Sequence, residues 1–256
     1  MADHQDLGPA AEKAPTGRTF ILKVFRYDPE KDENSRYQDY EVPWREGLTV
    51  LEALFHVLEK QDSTLAFRYS CREAICGSCA MYISGSYRLA CQTQVADAKR
   101  GNVVQVDPLP HMTVVKDLVV DMKTFWQNYE RIKPYLINDT PAPEKERLQS
   151  PEQRKKINEM VDCVLCAACY SACPSNYLNK DYLGAYALTK AYRFYIDSRD
   201  TAKDERLNVV DNEFGVFRCH TIFNCAEACP KGINQTFSIQ ELKKAVVKRK
   251  LGFGPR

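Results

Sequence analysis

The eleven cysteines of this 256-residue chain constrain its fold more than any other feature, because all of them fall into three spaced groups. The first group has the spacing C-x4-C-x2-C, with a fourth cysteine after eleven further residues. The second has the spacing C-x2-C-x2-C-x3-C and is followed by proline, and the third has the same span with one cysteine fewer. The groups are Cys71, Cys76, Cys79 and Cys91; Cys163, Cys166, Cys169 and Cys173; and Cys219, Cys225 and Cys229.

The first two spacings indicate iron–sulfur clusters. C-x4-C-x2-C with a later cysteine is the plant-type 2Fe–2S pattern, and C-x2-C-x2-C-x3-C-P is the pattern of bacterial two-cluster ferredoxins. Thiolates are soft anionic ligands, and cysteines close together on a tight loop can converge on one inorganic core. Gly77, between Cys76 and Cys79, suits such a loop because glycine adopts a positive φ without a steric penalty. The sequence therefore predicts an electron carrier.

Disulfides and structural zinc are the alternative uses of so many cysteines. Disulfides favour an even count and an oxidising compartment, whereas the count here is odd and the N-terminus has no signal segment with a charged and then an apolar part. Zinc quartets usually consist of two separated C-x2-C pairs. Three closely spaced cysteines, and a fourth followed by Pro174, fit a cubane cluster better.

The third group lacks its second cysteine, and Ile222 stands at that position. In two-cluster ferredoxins the fourth cysteine of each run binds the other cluster. The resulting ligand sets are Cys163, Cys166, Cys169 and Cys229 for a 4Fe–4S cluster, and Cys173, Cys219 and Cys225 for the other site. Because a cubane without a ligand at one corner tends to lose that iron, the second site is expected to hold a 3Fe–4S cluster. A 4Fe–4S cluster with water or a non-cysteine ligand at the open corner is the alternative.

Composition limits the possible partners. The formal net charge of +2 does not favour nucleic acid. No apolar run approaches the length of about 20 residues that a membrane span needs. Residues 1–17 are polar and rich in Ala and Pro, which indicates a flexible tail. Their acidic residues argue against a mitochondrial targeting peptide and favour a bacterial protein.

The periodicity of the chain predicts an α+β fold in two domains. Residues 18–109 are expected to form a β-grasp domain of the plant-type 2Fe–2S ferredoxin kind. Thr49 and Glu52 there form a capping box, which opens a helix that runs to Lys60. The predicted strands of this domain are 20–27, 37–42, 81–83, 87–91 and 103–106.

A connecting helix and linker are expected over residues 110–148, because apolar residues recur there at helical spacing. These residues are Val115, Leu118, Met122, Phe125, Tyr129 and Ile132. Residues 149–256 are expected to form a mostly helical, bacterial-ferredoxin-like domain that holds the 4Fe–4S and 3Fe–4S clusters. Its predicted helices are 151–161, 181–197 and 237–250, and Ser150 and Pro151 begin the first of them.

A plant-type domain followed by a two-cluster domain resembles the iron–sulfur subunit of succinate dehydrogenase and fumarate reductase (respiratory complex II). The resemblance covers nearly the whole chain from about Thr19. Its motifs are SCREAICGSC at 70–79, RLAC at 88–91, PLP at 108–110, CPS at 173–175, YIDSRD at 195–200 and RCHTI at 218–222.

The resemblance implies an electron-transfer subunit with no catalytic residue and no dicarboxylate site of its own. A separate flavoprotein subunit with covalently bound FAD would oxidise succinate to fumarate. Electrons would then pass through the 2Fe–2S, 4Fe–4S and 3Fe–4S clusters to a quinone held where this subunit meets one or more membrane anchor subunits. The expected location is peripheral, on the cytoplasmic face of a bacterial inner membrane.

The resemblance also implies a quinone pocket formed by the segment after Cys173 and by the segment 220–222. The pocket residues it implies are Pro174, Leu178, His220 and Ile222. Family members that reduce ubiquinone typically carry two tryptophans where this chain has Tyr177 and Leu178, a departure that slightly favours menaquinone. For His220, a packed, hydrogen-bonded histidine beside the cluster is the alternative.

Other assignments remain open at this stage. The chain could have the same role in a quinol:fumarate reductase, because the cysteine spacing is the same in both enzymes. An iron–sulfur subunit of another quinone-linked dehydrogenase is disfavoured by the plant-type first domain, and a zinc-stabilised binding module by the cysteine spacing. Near the C-terminus, a basic cluster indicates either a solvated helix face or contact with an anionic membrane surface or anchor subunit. Its members are Lys243, Lys244, Lys248, Arg249 and Lys250.

Overall fold

The computed structural model describes residues 17–253, so the predicted tail lies outside the described residues except for Gly17. Within that range a sheet domain precedes a helical domain. The strands are β1 Thr19–Arg26, β2 Arg36–Pro43, β3 Ala80–Ile83, β4 Ser86–Leu89, β5 Val103–Asp107, β6 Val114–Lys116 and β7 Val119–Val120. The helices are α1 Val50–Lys60, α2 Val95–Ala98, α3 Lys123–Arg131, α4 Pro151–Val161, α5 Ala168–Ser171, α6 Pro174–Leu178, α7 Gly184–Tyr195, α8 Lys203–Val210, α9 Asn224–Glu227 and α10 Gln235–Lys250.

The first domain is a five-stranded mixed sheet with the strand order β2-β1-β5-β3-β4. β1 is parallel to β5, and the other neighbouring strands are antiparallel. Alternate residues of β1 are buried in a core that they share with the apolar face of α1. The predicted capping box of Thr49 and Glu52 is present at the start of α1. This sheet, with its one long helix, is the predicted β-grasp.

The prediction of a helix from Val115 onward is wrong for its first half, which forms the β6–β7 hairpin before α3. Asp117 lies at the turn with φ 46° and is only 1% exposed. Its carboxylate accepts hydrogen bonds from the backbone N–H of Tyr27 and of Ala66, at 3.0 and 2.8 Å, and from Arg26 Nε at 3.0 Å. Those three tertiary bonds stabilise the turn over the helix that the apolar spacing favours.

The second domain is built around α7, which packs against α4, α8 and α10. α4 begins at Pro151, as predicted, and Ser150 and Gln153 form a capping box at its start. α7 begins at Gly184 and not near Asp181. The amides of Asn128 and Asn176 both donate to the carbonyl of Tyr182, at 3.1 and 3.0 Å, and hold the preceding residues in a turn.

The two domains meet beside the cysteine loops. The Ser171 hydroxyl donates to the Pro110 carbonyl, and a His111 ring nitrogen lies 3.0 Å from the Ser171 carbonyl oxygen. The ring of Phe125, in α3, stacks on Tyr186 of α7 with centroids 3.9 Å apart. These contacts bring the first cysteine group close to the second.

Candidate iron–sulfur sites

The first site is a loop whose backbone N–H groups point at cysteine sulfurs. The N–H groups of Glu73, Ile75 and Cys76 lie 3.4, 3.3 and 3.2 Å from Cys71 Sγ. The Ala74 N–H lies 3.2 Å from Cys91 Sγ. Donors aimed at sulfur stabilise negative charge on thiolates and on the cluster they hold. The loop is therefore a cradle for an anionic sulfur cluster.

Backbone geometry and tertiary folding complete this cradle. Arg72, Ala74 and Gly77 all have positive φ, at 60°, 57° and 73°. Cys91 lies in the turn after β4, and its N–H is 3.5 Å from Cys79 Sγ. The structure thus brings the fourth cysteine back to the loop, where the plant-type spacing predicts a ligand.

Two thiols of the first site have opposite electrostatic surroundings. Burial alone would raise the pKa of Cys76, but hydrogen bonds from Ser78 and from the Cys71 N–H lower it to about 6. Burial raises the pKa of Cys79 to about 12, because the surroundings disfavour an unpaired thiolate. Bound iron supplies the positive charge that would stabilise the Cys79 thiolate.

The second domain contains the same loop twice. Leu165 and Ala167, on either side of Cys166, have φ 54° and 66°. Thr221 and Phe223, on either side of Ile222, have φ 59° and 69°. A four-residue helix follows each loop, α5 in the first and α9 in the second. Ile222 therefore occupies the loop position that Cys166 occupies in the other half.

Each loop lines a cavity that a second cysteine run completes. The cavity beside the Cys166 loop is the first, and the cavity beside the Ile222 loop is the second. The cysteines that line them are Cys163, Cys166, Cys169 and Cys229 in the first, and Cys173, Cys219 and Cys225 in the second. The last cysteine of each run thus lies with the other run. This is the crossed grouping that the ferredoxin ligand rule predicts.

The chemistry of these cavities fits iron–sulfur clusters. Burial raises the pKa of Cys166 to about 12 and that of Cys169 well above the ordinary thiol value. Several converging thiols in such surroundings become thiolates only when metal cations offset the burial. Over residues 17–253, no three His, Cys, Asp or Glu side chains converge tightly enough for a single metal ion. Wider groups of thiols suit the separate irons of a cluster.

Three of the four predicted quinone residues lie together. Pro174, His220 and Ile222 line the second cavity, whereas Leu178 does not and is 79% exposed. The His220 side chain is also exposed in this chain. Its role, as a quinone residue or as a packed histidine beside the cluster, stays a prediction. Ile222 is 49% exposed and adjoins the exposed Phe223. The cavity therefore opens beside apolar side chains at the protein surface.

The cysteine spacing gave no sign of the other groups that line or support this cavity. Tyr182 is buried in its wall, and Thr236 Oγ1 lies 3.6 Å from Cys225 Sγ. Lys243 Nζ donates to the Cys219 carbonyl at 2.8 Å. Tyr182 and Thr236 lie near the starts of α7 and α10. Both starts were predicted a few residues from their true positions, so the sequence did not indicate that these two side chains face the cavity.

The basic cluster at the C-terminal end is largely paired within the chain. Besides Lys243, Lys244 pairs with Glu241, Arg249 with Asp211 and Asn208, and Lys250 with Asp211. These partners lower the charge that the cluster presents to an anionic surface. The cluster is therefore better described as a solvated helix face with ion-pair partners within the chain than as a membrane-binding patch.

The fold and its cysteine sites define a two-domain iron–sulfur electron-transfer protein. A family model described as "2Fe-2S iron-sulfur cluster binding domain" matches residues 21–127, and one described as "4Fe-4S dicluster domain" matches residues 155–230. A chain of the Mycobacterium smegmatis Sdh1 complex in the apo form superposes with a TM-score of 0.79 at 28% identity, over 91% of this chain and 97% of that one.

Sequence comparison defines the family more closely. The succinate dehydrogenase iron-sulfur subunit of Paracoccus denitrificans is 47% identical over 239 residues, which are 92% of either chain. The mitochondrial succinate dehydrogenase [ubiquinone] iron-sulfur subunit of Candida glabrata is 46% identical over 91% of this chain and 93% of its own. The chain belongs to the family of succinate dehydrogenase iron–sulfur subunits, the electron-transfer part of that oxidoreductase.

Proposed function

We propose that this chain carries electrons from a succinate-oxidising flavoprotein subunit, through three clusters in series, to a membrane quinone. The observation that carries the proposal is the grouping of all eleven cysteines into three sites, the last of which opens at the surface. The loop of the first site contacts the loop of the second across the domain boundary. Electrons would enter at the first site and leave at the third.

The proposed ligand sets follow the structural grouping. They are Cys71, Cys76, Cys79 and Cys91 for 2Fe–2S; Cys163, Cys166, Cys169 and Cys229 for 4Fe–4S; and Cys173, Cys219 and Cys225 for 3Fe–4S. When bound, the clusters supply one-electron redox chemistry. The chain itself holds them in place, excludes water from the buried cysteines and donates backbone N–H groups to sulfur. Those donors favour the reduced, more negative state of the first site.

The quinone site is proposed at the mouth of the second cavity, which the 3Fe–4S ligands line. Pro174, His220 and Ile222 line it, and Tyr177 and Leu178 lie on α6, which follows Cys173. Exposed apolar side chains on both segments support contact with one or more membrane anchor subunits. Within the described range, no helix has the length and apolar character to cross a bilayer. Menaquinone is slightly favoured over ubiquinone because Tyr177 and Leu178 replace the two tryptophans.

The proposed location is the cytoplasmic face of a bacterial inner membrane, peripheral and bound through the anchor subunits. The relative in the bacterium Paracoccus denitrificans supports a bacterial setting. The two directions of the reaction, succinate oxidation and fumarate reduction, share this architecture, and we propose succinate oxidation from the names of the relatives.

The deciding experiment is co-purification of the tagged chain from its native membrane, with assay of succinate–quinone activity and extraction of bound quinone. We expect a flavoprotein with covalent FAD, at least one anchor subunit and about nine irons per copy of this chain. A quinol:fumarate reductase would instead turn over faster with quinol and fumarate. A flavoprotein that did not oxidise succinate would assign the chain to another quinone-linked dehydrogenase and overturn the proposal.

A further inference from the structure

One glycine lies where the loops of two sites touch. A Cβ built on Gly77 would be 2.5 Å from the Val164 carbonyl oxygen and 3.1 Å from Cys166 Cα and Cβ. Real Cβ atoms essentially never approach another heavy atom within 3.0 Å, and the nearest atom here belongs to the backbone. Any side chain at position 77 would therefore push one loop away from the other.

The contact joins the ligand-bearing segments themselves. Gly77 follows Cys76 in the chain, and Val164 follows Cys163 and precedes Cys166 by two positions. Both segments line a single cleft between the domains, and Cys166 packs against the core of the first domain. The separation of the first and second sites is thus set where the two loops meet.

Backbone conformation alone does not explain a glycine at this position. Gly77 has φ 73°, but Arg72 and Ala74 adopt φ 60° and 57° in the same loop with side chains attached. The loop therefore accepts non-glycine residues at positive φ, at the usual modest cost. What position 77 additionally requires is the absence of a Cβ, because the Val164 carbonyl fills that space.

We infer that Gly77 is a positioning residue that sets the distance between the 2Fe–2S and 4Fe–4S centres by allowing their loops to touch. The inference rests on the proposed function, in which one electron leaves the first centre as the second gains it. No bond forms or breaks in that step. Electron tunnelling slows exponentially with the distance between the two centres, so displacement of either loop slows the transfer.

The test compares Gly77→Ala with Gly47→Ala in the intact complex. Gly47 has φ 78°, and a Cβ placed on it would have no other atom within 4 Å, so its variant carries the same backbone penalty without the close contact. The first readout is the relaxation enhancement of the 2Fe–2S EPR signal by the reduced 4Fe–4S centre, and the second is the rate of electron transfer between the two. We expect both to fall several-fold in Gly77→Ala and to match wild type in Gly47→Ala.

Wild-type values of both readouts in Gly77→Ala would overturn the inference. If wild type itself showed no magnetic interaction between the two centres, the proposed series of clusters would fail instead, so the two failures are distinguishable.

If Gly77→Ala does not bind its first cluster, neither the EPR nor the electron-transfer readout applies, and another measurement tests the inference. Amide hydrogen exchange of residues 164–166 is then compared between Gly77→Ala and Cys91→Ala, because the second variant removes a ligand of the first cluster and leaves the Gly77 contact intact. We expect faster exchange in Gly77→Ala, whose new Cβ displaces the Val164 carbonyl. Equal exchange in the two variants would overturn the inference.

Discussion

Two loops of the second domain share their backbone conformation but differ at the middle ligand position, where one has Cys166 and the other has Ile222. The residues on either side of it have the same left-handed geometry as those around Cys166. The side chain lines the second cavity and is partly exposed. Since cysteine is smaller than isoleucine, a thiol at this position has room beside the other three.

We therefore expect Ile222→Cys to convert the proposed three-iron centre into a four-iron centre. The added thiolate supplies the missing ligand and also donates negative charge, which lowers the reduction potential and slows electron delivery to the quinone. The measurement is the EPR signal of the oxidised protein, which an odd-electron 3Fe–4S cluster gives and an oxidised 4Fe–4S cluster does not.

Ile222→Val is the matched control, because it changes the same side chain without adding a ligand and should keep the three-iron signal. A full-strength signal in Ile222→Cys, with the introduced thiol shown to be reduced and buried, would show that Cys173, Cys219 and Cys225 do not frame the site in the way proposed.

A second residue-level prediction concerns Cys91, the proposed ligand of the first site that is most distant in sequence from the other three. Its sulfur receives the Ala74 N–H, and its own N–H points at Cys79. Cys91→Ala should abolish the 2Fe–2S signal and leave the signals of the other two clusters, which serve as internal controls. An intact 2Fe–2S signal in this variant would remove Cys91 from the ligand set.

At the scale of the elements, the sequence predicted those whose signals are local. The capping box at Thr49 and the Ser150–Pro151 pair correctly marked the starts of α1 and α4. Runs of β-prone residues likewise predicted the strands of the sheet. Each of these signals lies within a few consecutive residues, so it can be recognised in the sequence without knowledge of tertiary contacts.

Other elements depend on hydrogen bonds between residues distant in sequence, which no single segment of the sequence reveals. The β6–β7 hairpin is held by the Asp117 carboxylate, which accepts bonds from residues far along the chain. α5 and α9 have only four residues each, and a non-glycine residue at positive φ precedes each of them. Cysteine spacing predicted which thiols converge, but it did not predict the loop geometry or lining residues such as Tyr182.

One buried arginine connects α8 to the segment after α3. Arg206 donates to the carbonyls of Ile132, Lys133 and Tyr135 at 2.9, 2.5 and 2.6 Å, and to Asp200 Oδ2 at 2.7 Å. Its side chain is 2% exposed and that of Asp200 is 0% exposed. Asp200 also accepts a hydrogen bond from the Ile137 N–H at 3.0 Å. Together, Arg206 and Asp200 therefore hold the segment from Ile132 to Ile137 against α8.

Arg206→Met should destabilise the protein by about 3–5 kcal/mol, because it leaves a buried carboxylate and several carbonyls without their donor. The measurement is the apparent Tm at a fixed scan rate, together with the unfolding rate in guanidinium, since cluster loss makes unfolding irreversible.

Arg249→Met is the matched control for that variant. Arg249 also pairs with an aspartate, Asp211, but its side chain is 26% exposed, so solvent screens this pair more than the fully buried one and its loss should cost less. Similar losses of stability in the two variants would show that the Arg206 network is no more important than a partly exposed ion pair.

At the scale of the whole molecule, exposed apolar side chains lie beside the first and third cysteine sites. Ile75 of the first loop is exposed, and so are Tyr177 and Leu178 beside the third site. Exposed apolar groups next to redox sites are typical of docking surfaces. Electron entry and exit would then both require other subunits.

The last prediction follows from that dependence. The purified chain, loaded with all three clusters, should not oxidise succinate, because its sequence has no dinucleotide-binding G-x-G-x-x-G motif and the described residues include no bilayer-spanning helix. Chemical reduction with dithionite should nevertheless reduce its clusters, and adding the flavoprotein subunit should make that reduction depend on succinate. The measurement is the visible and EPR spectrum of the clusters, with flavoprotein and succinate added separately and together. Cluster reduction by succinate in the chain alone would reveal a dicarboxylate site that neither the sequence nor the fold predicts.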